Sequence, residues 1–485
     1  MSEISLDSID DSTLAFCWLS LHPRDRAKIL ENAPKTLWVL GAGASHHYGL
    51  NRFGVKVPLS NGFFAAFNDL PTSQGFEAHV GPLISFLEHY RGVSPLEVNK
   101  WNENIEDFMT SVEAELAQLR ERLTAGRLQG EDIKKKFSLA MVFANMNFIF
   151  ANVLNEATNG PSRSLYRELL QLCGPNDAFV TFNWDTLLDR ALADTGGWSP
   201  NDGYGIKFAS ILDGTWKSEI DNGPTFQTGW RLLKLHGSTN WLVPYMAVNF
   251  DTLDYASLVP DSSAVFLFWQ ATMPYLTHHG RWRGGYFPTG YCYYPPNIPG
   301  NQFTKKQIAA PEGHVIASFT YKTFSPFSEP SDSGVPSSPL LITPVRQKKY
   351  DTYSATLGGL WDQTVKHLET VDRLVVVGYS FPVTDARPLD LFRAALKATS
   401  GKIELEIVAP GVKDIVARIG EDAISHAKNF RTHDMTFEDY INILASEMPQ
   451  MMKTAAEENE EVRKWVKMMY VMREASLHRA QQEGG

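Results

Sequence analysis

A chain of 485 residues, 43% of them hydrophobic, is long enough to bury a sizeable core and could form one large domain or two to three ordinary ones. The formal net charge of −10 leaves no general excess of lysine and arginine, which argues against a mainly electrostatic nucleic-acid binder. The three cysteines (Cys17, Cys173 and Cys292) are widely spaced and form no CxxC pair, which disfavours a disulfide framework and a zinc knuckle.

Residues 1–34 are predicted to form an N-terminal helical segment. The pattern is helical over residues 11–31, with Pro23 placed to open a second helix. This start is acidic and polar, unlike a signal peptide, and the sequence has no run of about 18 apolar residues that could cross a bilayer. We therefore expect a soluble, cytoplasmic protein.

The stretch from Lys35 to Leu50, KTLWVLGAGASHHYGL, is the one around which the chain is organised. Residues 37–40 are a continuous apolar run, typical of a strand that is buried on both faces. In the glycine-rich turn that follows, main-chain N–H groups can approach a phosphate without a Cβ in the way. Alternatively, the glycines only let a helix pack closely against the strand. The turn residues predicted to bind a dinucleotide are Gly41, Ala42, Gly43, Ala44 and Ser45.

Two long helical patterns interrupt the alternation of strands and helices. Residues 103–124 are strongly amphipathic. Residues 132–156 are predicted to form a second helix, which is buried because it carries few charges beyond its first turn. Two such helices are too much for a simple crossover between strands. We interpret residues 61–159 as mostly a helical insertion.

Further strands and helices alternate along the rest of the sequence. Strands are predicted at 177–182, 232–235, 340–343, 373–377 and 403–408, and helices at 185–194, 353–368 and 385–398. This alternation predicts an α/β fold with a doubly wound, mostly parallel, Rossmann-like sheet. Residues 245–339 are either a loop-rich insertion or a cap of short strands. Residues 411–485 are predicted to be a helical extension.

Polar motifs follow the predicted strands, where ligands bind to sheets of this kind. The sequence TFNWD (181–185) follows the second strand, His236-Gly237 follows the third, and GYSFPVTD (378–385) follows a late one. The carboxyl ends of parallel strands meet at one edge, so we expect these motifs to share a rim with the glycine turn. Four rim motifs in this order are a far stronger signal than one glycine turn.

The order and spacing of these motifs resemble the sirtuin family, and more closely its bacterial branch in anti-phage defence. Residues 41–45 resemble the family's GAG-[IA]-S turn, residues 181–185 its T-x-N-x-D element, and His236-Gly237 its catalytic His-Gly. Residues 344–385 are similar to the closing part of the defence branch. The resemblance implies a sirtuin-like, NAD-binding catalytic domain over roughly residues 35–410, with the two insertions unmatched.

Two departures from the protein-deacylating sirtuins bear on activity. The chain lacks their two zinc-binding Cys-x-x-Cys pairs and their Pro-Asp-Phe-Arg motif after the glycine turn. The defence branch also lacks both features, and its members cleave NAD to nicotinamide and ADP-ribose. The resemblance therefore implies an NAD glycohydrolase that needs no metal, takes NAD as its substrate, and acts in abortive infection by depleting NAD.

The resemblance also implies roles for the rim residues. We expect Asn183 to hold the ribose and orient the attacking water, and His236 to act as a neutral general base. Asp185 would stabilise developing positive charge or fix local geometry. Besides the glycine turn, the residues expected to contact NAD are Thr181, Gly378, Ser380 and Asp385.

Plainer interpretations of the same residues stay open. Asn183 and Asp185 could simply cap the next helix, and His236 could be a buried histidine with satisfied hydrogen bonds. We expect His46 and His47 to be surface histidines rather than contacts of nicotinamide or phosphate. In dinucleotide-binding folds, an Asp or Glu about 20 residues past the turn binds the ribose hydroxyl that carries a phosphate in NADP. No such residue is evident here, so the sequence does not show whether NAD or NADP is bound.

Other functions and partners also stay open. One alternative is an NAD-dependent protein deacylase or ADP-ribosyl transferase, and another is a non-catalytic module that senses NAD or ADP-ribose. Similar chains of the defence branch work with a HerA-type ATPase, with a short Argonaute, or through fused sensor domains. The roughly 75 residues after Pro410 are too few for a large sensor. We therefore expect a separate partner or self-assembly as a homo-oligomer.

Overall fold

The architecture is α/β, built on a central six-stranded sheet in which every pair of neighbouring strands is parallel. It is seen in a computed structural model of the chain. The structure describes residues 4–51, 53–70, 77–94, 96–127, 129–161, 163–213, 215–220, 223–226, 228–244, 246–248, 255–257, 265–269, 337–345, 348, 350 and 354–483.

The strands in chain order are β1 Thr36–Leu40, β2 Ala178–Thr181, β3 Ser210–Asp213, β4 Thr215–Lys217, β5 Leu232–Lys234, β6 Gly237–Pro244, β7 Met246–Val248, β8 Tyr255–Ser257, β9 Phe266–Phe268, β10 Ser337–Leu341, β11 Arg373–Val377, β12 Glu404–Val408 and β13 Asn429–His433. The central sheet has the order β13-β12-β11-β1-β2-β5. Counted among its own members, this is 6-5-4-1-2-3, which is the Rossmann order read from the far edge. The order reverses between β1 and β11, so the switch point lies directly beside the glycine turn. The sheet is compatible with the predicted Rossmann-like fold.

The core of this sheet follows from the apolar runs in the sequence. All five residues of β1 are buried, and β1 pairs with β11 on one side and with β2 on the other. At the amino end of β1, the buried carboxylate of Asp177 accepts hydrogen bonds from the Thr36 main-chain N–H and from the indole of Trp38. The predicted strands at 37–40, 177–182, 232–235, 373–377 and 403–408 are therefore confirmed.

The helices of the first part of the chain lie before β2, and most of them belong to the predicted helical insertion. They are Leu6–Ser8 (3-10), Asp11–Ser20, Pro23–Ile29, Ala42–Ser45, Ser60–Gly62 (3-10), Phe63–Asp69, Glu77–Arg91, Val98–Lys100 (3-10), Ile105–Thr124, Gly130–Ala157 and Leu165–Leu170. Aromatic side chains of the insertion, such as Phe64, Phe108 and Phe150, belong to the same hydrophobic core as β1. Gly130–Ala157 is long and apolar enough to cross a membrane by length and composition alone, and most of its apolar window is buried inside the protein, as in core helices of soluble proteins.

The remaining helices connect the later strands and end the chain. They are Leu187–Asp194, Pro200–Gly203, Ser354–Thr370, Ala386–Ala398, Val412–Ile419, Glu421–Ile424, Phe437–Ser446, Met448–Glu458 and Glu460–Glu483. Trp18 of the N-terminal segment packs with Met452 and Val466 of the last two helices in a separate, smaller core. The two ends of the chain thus stabilise each other.

The structure differs from three expectations about secondary structure. The predicted strand at 340–343 is Ser337–Leu341, and it pairs antiparallel with β6 in a second sheet of order β10-β6-β9-β3-β4. Residues beyond 410 are not only helical, because β13 adds a sixth strand to the central sheet. The helix predicted from Asp185 begins at Leu187. Most of the insertion predicted at 245–339 lies outside the residues that the structure describes. The described part contains short strands, of which β7 pairs with β8.

Candidate active site

The glycine turn lies at the switch point and is fitted against the end of β11. The main-chain N–H of Gly41 donates to the oxygen of Val377 over 3.0 Å, and that of Gly43 to the oxygen of Gly378 over 2.9 Å. A Cβ on Gly41 would lie 2.5 Å from the Gly378 oxygen, and one on Gly43 would lie 2.9 Å from the Gly378 Cα. The turn and the end of β11 approach so closely that only glycine fits at these two positions. This agrees with the interpretation in which the glycines serve close packing. Ala42 between them is exposed.

Asn183 is tied to this turn by its side-chain amide. Its Nδ2 donates to the main-chain oxygen of Gly41 over 2.8 Å and to Ser45 Oγ over 2.9 Å. Thr181 Oγ1 accepts the main-chain N–H of Asn183 over 3.0 Å and donates to the oxygen of Leu40 over 2.8 Å. The predicted residues Gly41, Ser45, Thr181 and Asn183 thus form one hydrogen-bonded group between β1 and β2.

Tyr166 completes this group. Its hydroxyl lies 2.8 Å from Ser45 Oγ, and its ring is buried. Burial raises the pKa of the Tyr166 phenol well above its usual value, so the hydroxyl keeps its proton. Tyr166 lies in the helix Leu165–Leu170, outside every motif, and no pattern in the sequence points to it.

Asp185 acts as a turn residue at the start of a helix. Its Oδ1 accepts the main-chain N–H of Leu187 over 3.0 Å. Burial raises the pKa of the carboxyl, although the nearby Lys234 ammonium opposes this effect. Lys234 Nζ donates to the main-chain oxygen of Asp185 and lies 3.0 Å from Asp189 Oδ2. These contacts fit the role of fixing local geometry.

His236 lies just past β5, in a buried position that its neighbours in sequence explain. Gly237 has a φ of +82°, and a Cβ there would lie 2.0 Å from the Leu340 oxygen, so a glycine must follow the histidine. The main-chain oxygen of His236 accepts the Trp184 indole N–H over 2.9 Å. The order His-Gly is therefore required by the turn that carries the imidazole.

The imidazole of His236 is enclosed by aromatic rings. The ring centroids of Phe182, Tyr350 and Trp184 lie 5.0, 5.9 and 6.3 Å from that of His236. Burial lowers the pKa of His236 to about 4, while the Asp385 carboxylate and a hydrogen bond to the Phe182 main chain oppose that effect. His236 is thus neutral at pH 7 and able to accept a proton.

Asp385, which directly precedes the helix Ala386–Ala398, lies close to His236. Its Oδ1 lies 3.9 Å from His236 Nε2 and forms an ion pair with Lys348 Nζ, and its Oδ2 accepts the Tyr379 hydroxyl over 2.8 Å. Burial raises the pKa of this carboxyl, but the electrostatic interactions with His236 and with the Lys348 ammonium, together with the hydrogen bonds, outweigh burial and hold the pKa below its usual value. Asp385 was expected to contact NAD, and here both its oxygens are bound to protein groups.

The helical insertion reaches this cluster through Glu106. Glu106 lies in the first turn of the helix Ile105–Thr124, and its Oε1 is 3.4 Å from Lys348 Nζ. Its Oε2 accepts the hydroxyl of Thr384 over 2.9 Å. The ammonium of Lys348 is therefore shared between Glu106 and Asp385, and Lys348, Tyr350 and Glu106 are site residues to which the sequence analysis gave no role.

The loop after β11 packs against Phe182 through the ring of Tyr379. Phe182 stacks on Tyr379 with centroids 4.2 Å apart and planes inclined by 16°. Phe381 is buried and is a non-glycine residue with a positive φ of 46°. The predicted contact Ser380 is exposed, and its main-chain oxygen accepts Arg418 Nη1 over 2.7 Å.

His46 and His47 are not surface residues, so that expectation was wrong. His47 Nδ1 lies 2.6 Å from the Ala44 oxygen, and His47 Nε2 accepts the Leu165 N–H over 3.1 Å. His46 Nδ1 lies 2.7 Å from the Val57 oxygen. Both are half-buried and hold the segment after the glycine turn in place.

The rim thus carries two groups joined by Phe182. Asn183 belongs to the group at the glycine turn, and His236 belongs to the group of Asp385, Lys348 and Tyr350. Within the described residues, no group of three or more His, Cys, Asp or Glu side chains is arranged to hold a metal ion. No protein-family model matches this chain, and no curated protein was found to match it.

Proposed function

We propose that this protein is an NAD glycohydrolase, which converts NAD and water to nicotinamide and ADP-ribose. The observation that carries the proposal is that the glycine turn, Asn183 and His236 follow β1, β2 and β5 at the same edge of the sheet, the edge at which the strand order reverses between β1 and β11. Ligands of open α/β sheets bind in the crevice at this point. An amide and a neutral imidazole at this edge of the sheet suit hydrolysis of an N-glycosidic bond.

The proposed reaction needs positioning more than strong acids or bases. Water adds to the anomeric carbon of the nicotinamide ribose while the bond from this carbon to the pyridinium nitrogen breaks. The bonding electrons go to the ring, which leaves as neutral nicotinamide, so the leaving group needs no proton. The transition state resembles an oxocarbenium ion, and electrostatic stabilisation and orientation supply most of the catalysis.

His236 would accept the proton that the attacking water or a ribose hydroxyl loses. Because burial lowers its pKa to about 4, the imidazole is neutral at pH 7 and available as an acceptor. The rings of Phe182 and Trp184 keep it in a water-poor environment. The resulting imidazolium would lie beside the Asp385 carboxylate.

Asn183 would orient the ribose or the water with its side-chain oxygen. Its Nδ2 is committed to Gly41 and Ser45, which fixes the plane of the amide. Oδ1 is then the atom of the amide that we assign to the substrate. A rigid amide is favourable because a misplaced group loses much of its catalytic effect.

The biological role that we propose is NAD depletion in anti-phage defence, inside the cytoplasm. This part rests on the motif resemblance, since residues 41–45, 181–185 and 236–237 and the segment 344–385 follow the defence branch of the sirtuin family. A homo-oligomer and a partner such as a HerA-type ATPase or a short Argonaute belong to the same proposal.

The proposal is tested by nicotinamide release from NAD by purified Asn183→Ala and His236→Ala variants. Each should lose about a hundredfold or more in turnover, as expected for a positioned acid–base or orienting group. Asp390→Asn is the matched control, because Asp390 is exposed on the helix Ala386–Ala398. Unchanged nicotinamide release by either site variant would contradict the assigned roles.

A further inference from the structure

We infer that Asp385 is a positioning residue for His236: its carboxylate, held by Lys348 and Tyr379, orients the imidazole and stabilises the cation formed when His236 accepts a proton. The inference deepens the proposed function and rests on His236 as the proton acceptor. It replaces the expectation that Asp385 binds NAD directly.

The first support is the arrangement around His236 Nε2. Asp385 Oδ1 lies 3.9 Å from this nitrogen, and the Tyr350 hydroxyl lies 3.4 Å from the nitrogen and 3.5 Å from Oδ1. Tyr350 therefore bridges the histidine and the aspartate. In other hydrolases a buried carboxylate that is hydrogen-bonded to an imidazole orients the ring and stabilises its cation, and here the Tyr350 hydroxyl lies between the two groups.

The second support is that the carboxylate is itself fixed. Lys348 Nζ pairs with Oδ1, and the Tyr379 hydroxyl donates to Oδ2 over 2.8 Å. Asp385 stands at the N-cap position of the helix Ala386–Ala398, but its side chain makes no capping hydrogen bond there. The side chain is thus directed to the cluster, while the helix N-terminus still favours its negative charge.

The third support is a pair of opposing charges that act on the imidazole. The Asp385 carboxylate favours protonated His236, and the Lys348 ammonium disfavours it. Glu106 also faces Lys348 from the helical insertion, and the Arg387 guanidinium lies 5.3 Å from the Tyr350 ring centroid. Removing the carboxylate and removing the ammonium should therefore change His236 in opposite directions.

An NMR titration of the histidines measures the effect of Asp385 and Lys348 on the protonation of His236, and it does not depend on turnover. The full chain is labelled with ¹⁵N-histidine, and the His236 signal is identified by its loss in His236→Gln. We expect Lys348→Met to move the His236 midpoint upward, and Asp385→Asn to keep the ring neutral to lower pH than in the unaltered protein. Lys348→Arg should restore the original midpoint, and Asp390→Asn should leave it unchanged.

Turnover then tests the positioning role. Asp385→Asn should lower kcat for nicotinamide release at least tenfold while KM for NAD stays within about twofold, as for an interaction made mainly in the transition state. Should Asp385→Asn fail to fold, Tyr350→Phe gives the second reading, with a smaller fall in kcat and the same KM. An increase in KM alone would assign Asp385 to NAD binding and overturn the inference.

The two proposals fail in different ways. Absence of nicotinamide release by the unaltered protein, alone and with its partner, would overturn the proposed function. A His236 midpoint that is the same in Asp385→Asn, Lys348→Met and the unaltered protein would overturn the inference, whether or not the protein cleaves NAD.

Discussion

Asn183 Nδ2 lies 2.8 Å from the main-chain oxygen of Gly41, and this contact joins two motifs that are 142 residues apart in the chain. The bond connects the loop after β2 to the turn after β1, next to the reversal of strand order. Ser45 Oγ accepts a second hydrogen bond from the same nitrogen over 2.9 Å. The orientation of the amide therefore depends on the glycine turn, and changes in the turn should alter both stability and turnover.

Tyr166→Phe tests the outermost link of this chain of contacts. The variant keeps the buried ring but removes the hydroxyl that lies 2.8 Å from Ser45 Oγ. The loss of one buried hydrogen bond should cost about 1 kcal/mol in the free energy of unfolding. Because Ser45 also holds Asn183, kcat for nicotinamide release should fall about threefold to tenfold.

Urea unfolding and steady-state kinetics measure these two effects. Tyr470→Phe in the last helix is the control, and it should leave kcat unchanged. A Tyr166→Phe variant with full turnover would show that Ser45 holds Asn183 without help from the phenol.

Gly41→Ala tests whether close packing fixes the glycine turn. The new Cβ would lie 2.5 Å from the Gly378 oxygen and from the Tyr379 Cα, which are main-chain atoms with little room to shift. Overpacking of this kind should destabilise the protein by about 1–3 kcal/mol or more. Gly359→Ala is the matched control: it lies inside the helix Ser354–Thr370 with open space at its Cβ, and it should stabilise by up to about 1 kcal/mol. Denaturant midpoints that move alike in the two variants would refute the packing explanation.

Burial of His47 should make the protein less stable in mild acid. Burial lowers its pKa to about 4, below the value of about 6.5 that applies in the unfolded chain. The fold thus favours the neutral ring, and its contribution is complete above pH 6.5 and is lost as the pH falls toward 4. The difference between the two pKa values corresponds to at most about 3 kcal/mol. Buried His236 acts in the same direction.

The measurement compares the unaltered protein with His47→Gln at pH 7 and pH 5. Burial raises the pKa of Asp177 to about 6, so that carboxyl opposes the two histidines, and only the difference between the proteins isolates His47. The free energy of unfolding should fall less between these pH values in His47→Gln. Equal falls would contradict the account of His47.

Local patterns in the sequence were enough to predict the centre of the fold. The apolar run before Gly41 is fully buried as β1, and the polar motifs at 181–185, 236–237 and 378–385 all follow strands of the central sheet. Each of these signals is carried by neighbouring residues. Strand order, in contrast, depends on which strands pair, and no local pattern predicts that β1 pairs with β11.

Three features of the structure were not predicted from the sequence, each for a physical reason. β13 is an edge strand whose residues are mostly exposed, so it shows no buried apolar run. Ser337–Leu341 reads as a strand, but only its partner β6 shows that it belongs to the antiparallel sheet. Lys348 and Glu106 approach Asp385 from remote parts of the chain, and their contact is a product of the tertiary fold.

The most direct test of the central claim is product analysis after incubation of the purified protein with NAD, alone and with the product of its neighbouring gene. The account predicts nicotinamide and free ADP-ribose in equal amounts without any acylated peptide, and about a hundredfold or more slower release of both from Asn183→Ala or His236→Ala. Tight binding of NAD with no nicotinamide released, or nicotinamide formed only together with O-acyl-ADP-ribose from an acetylated peptide, would contradict it.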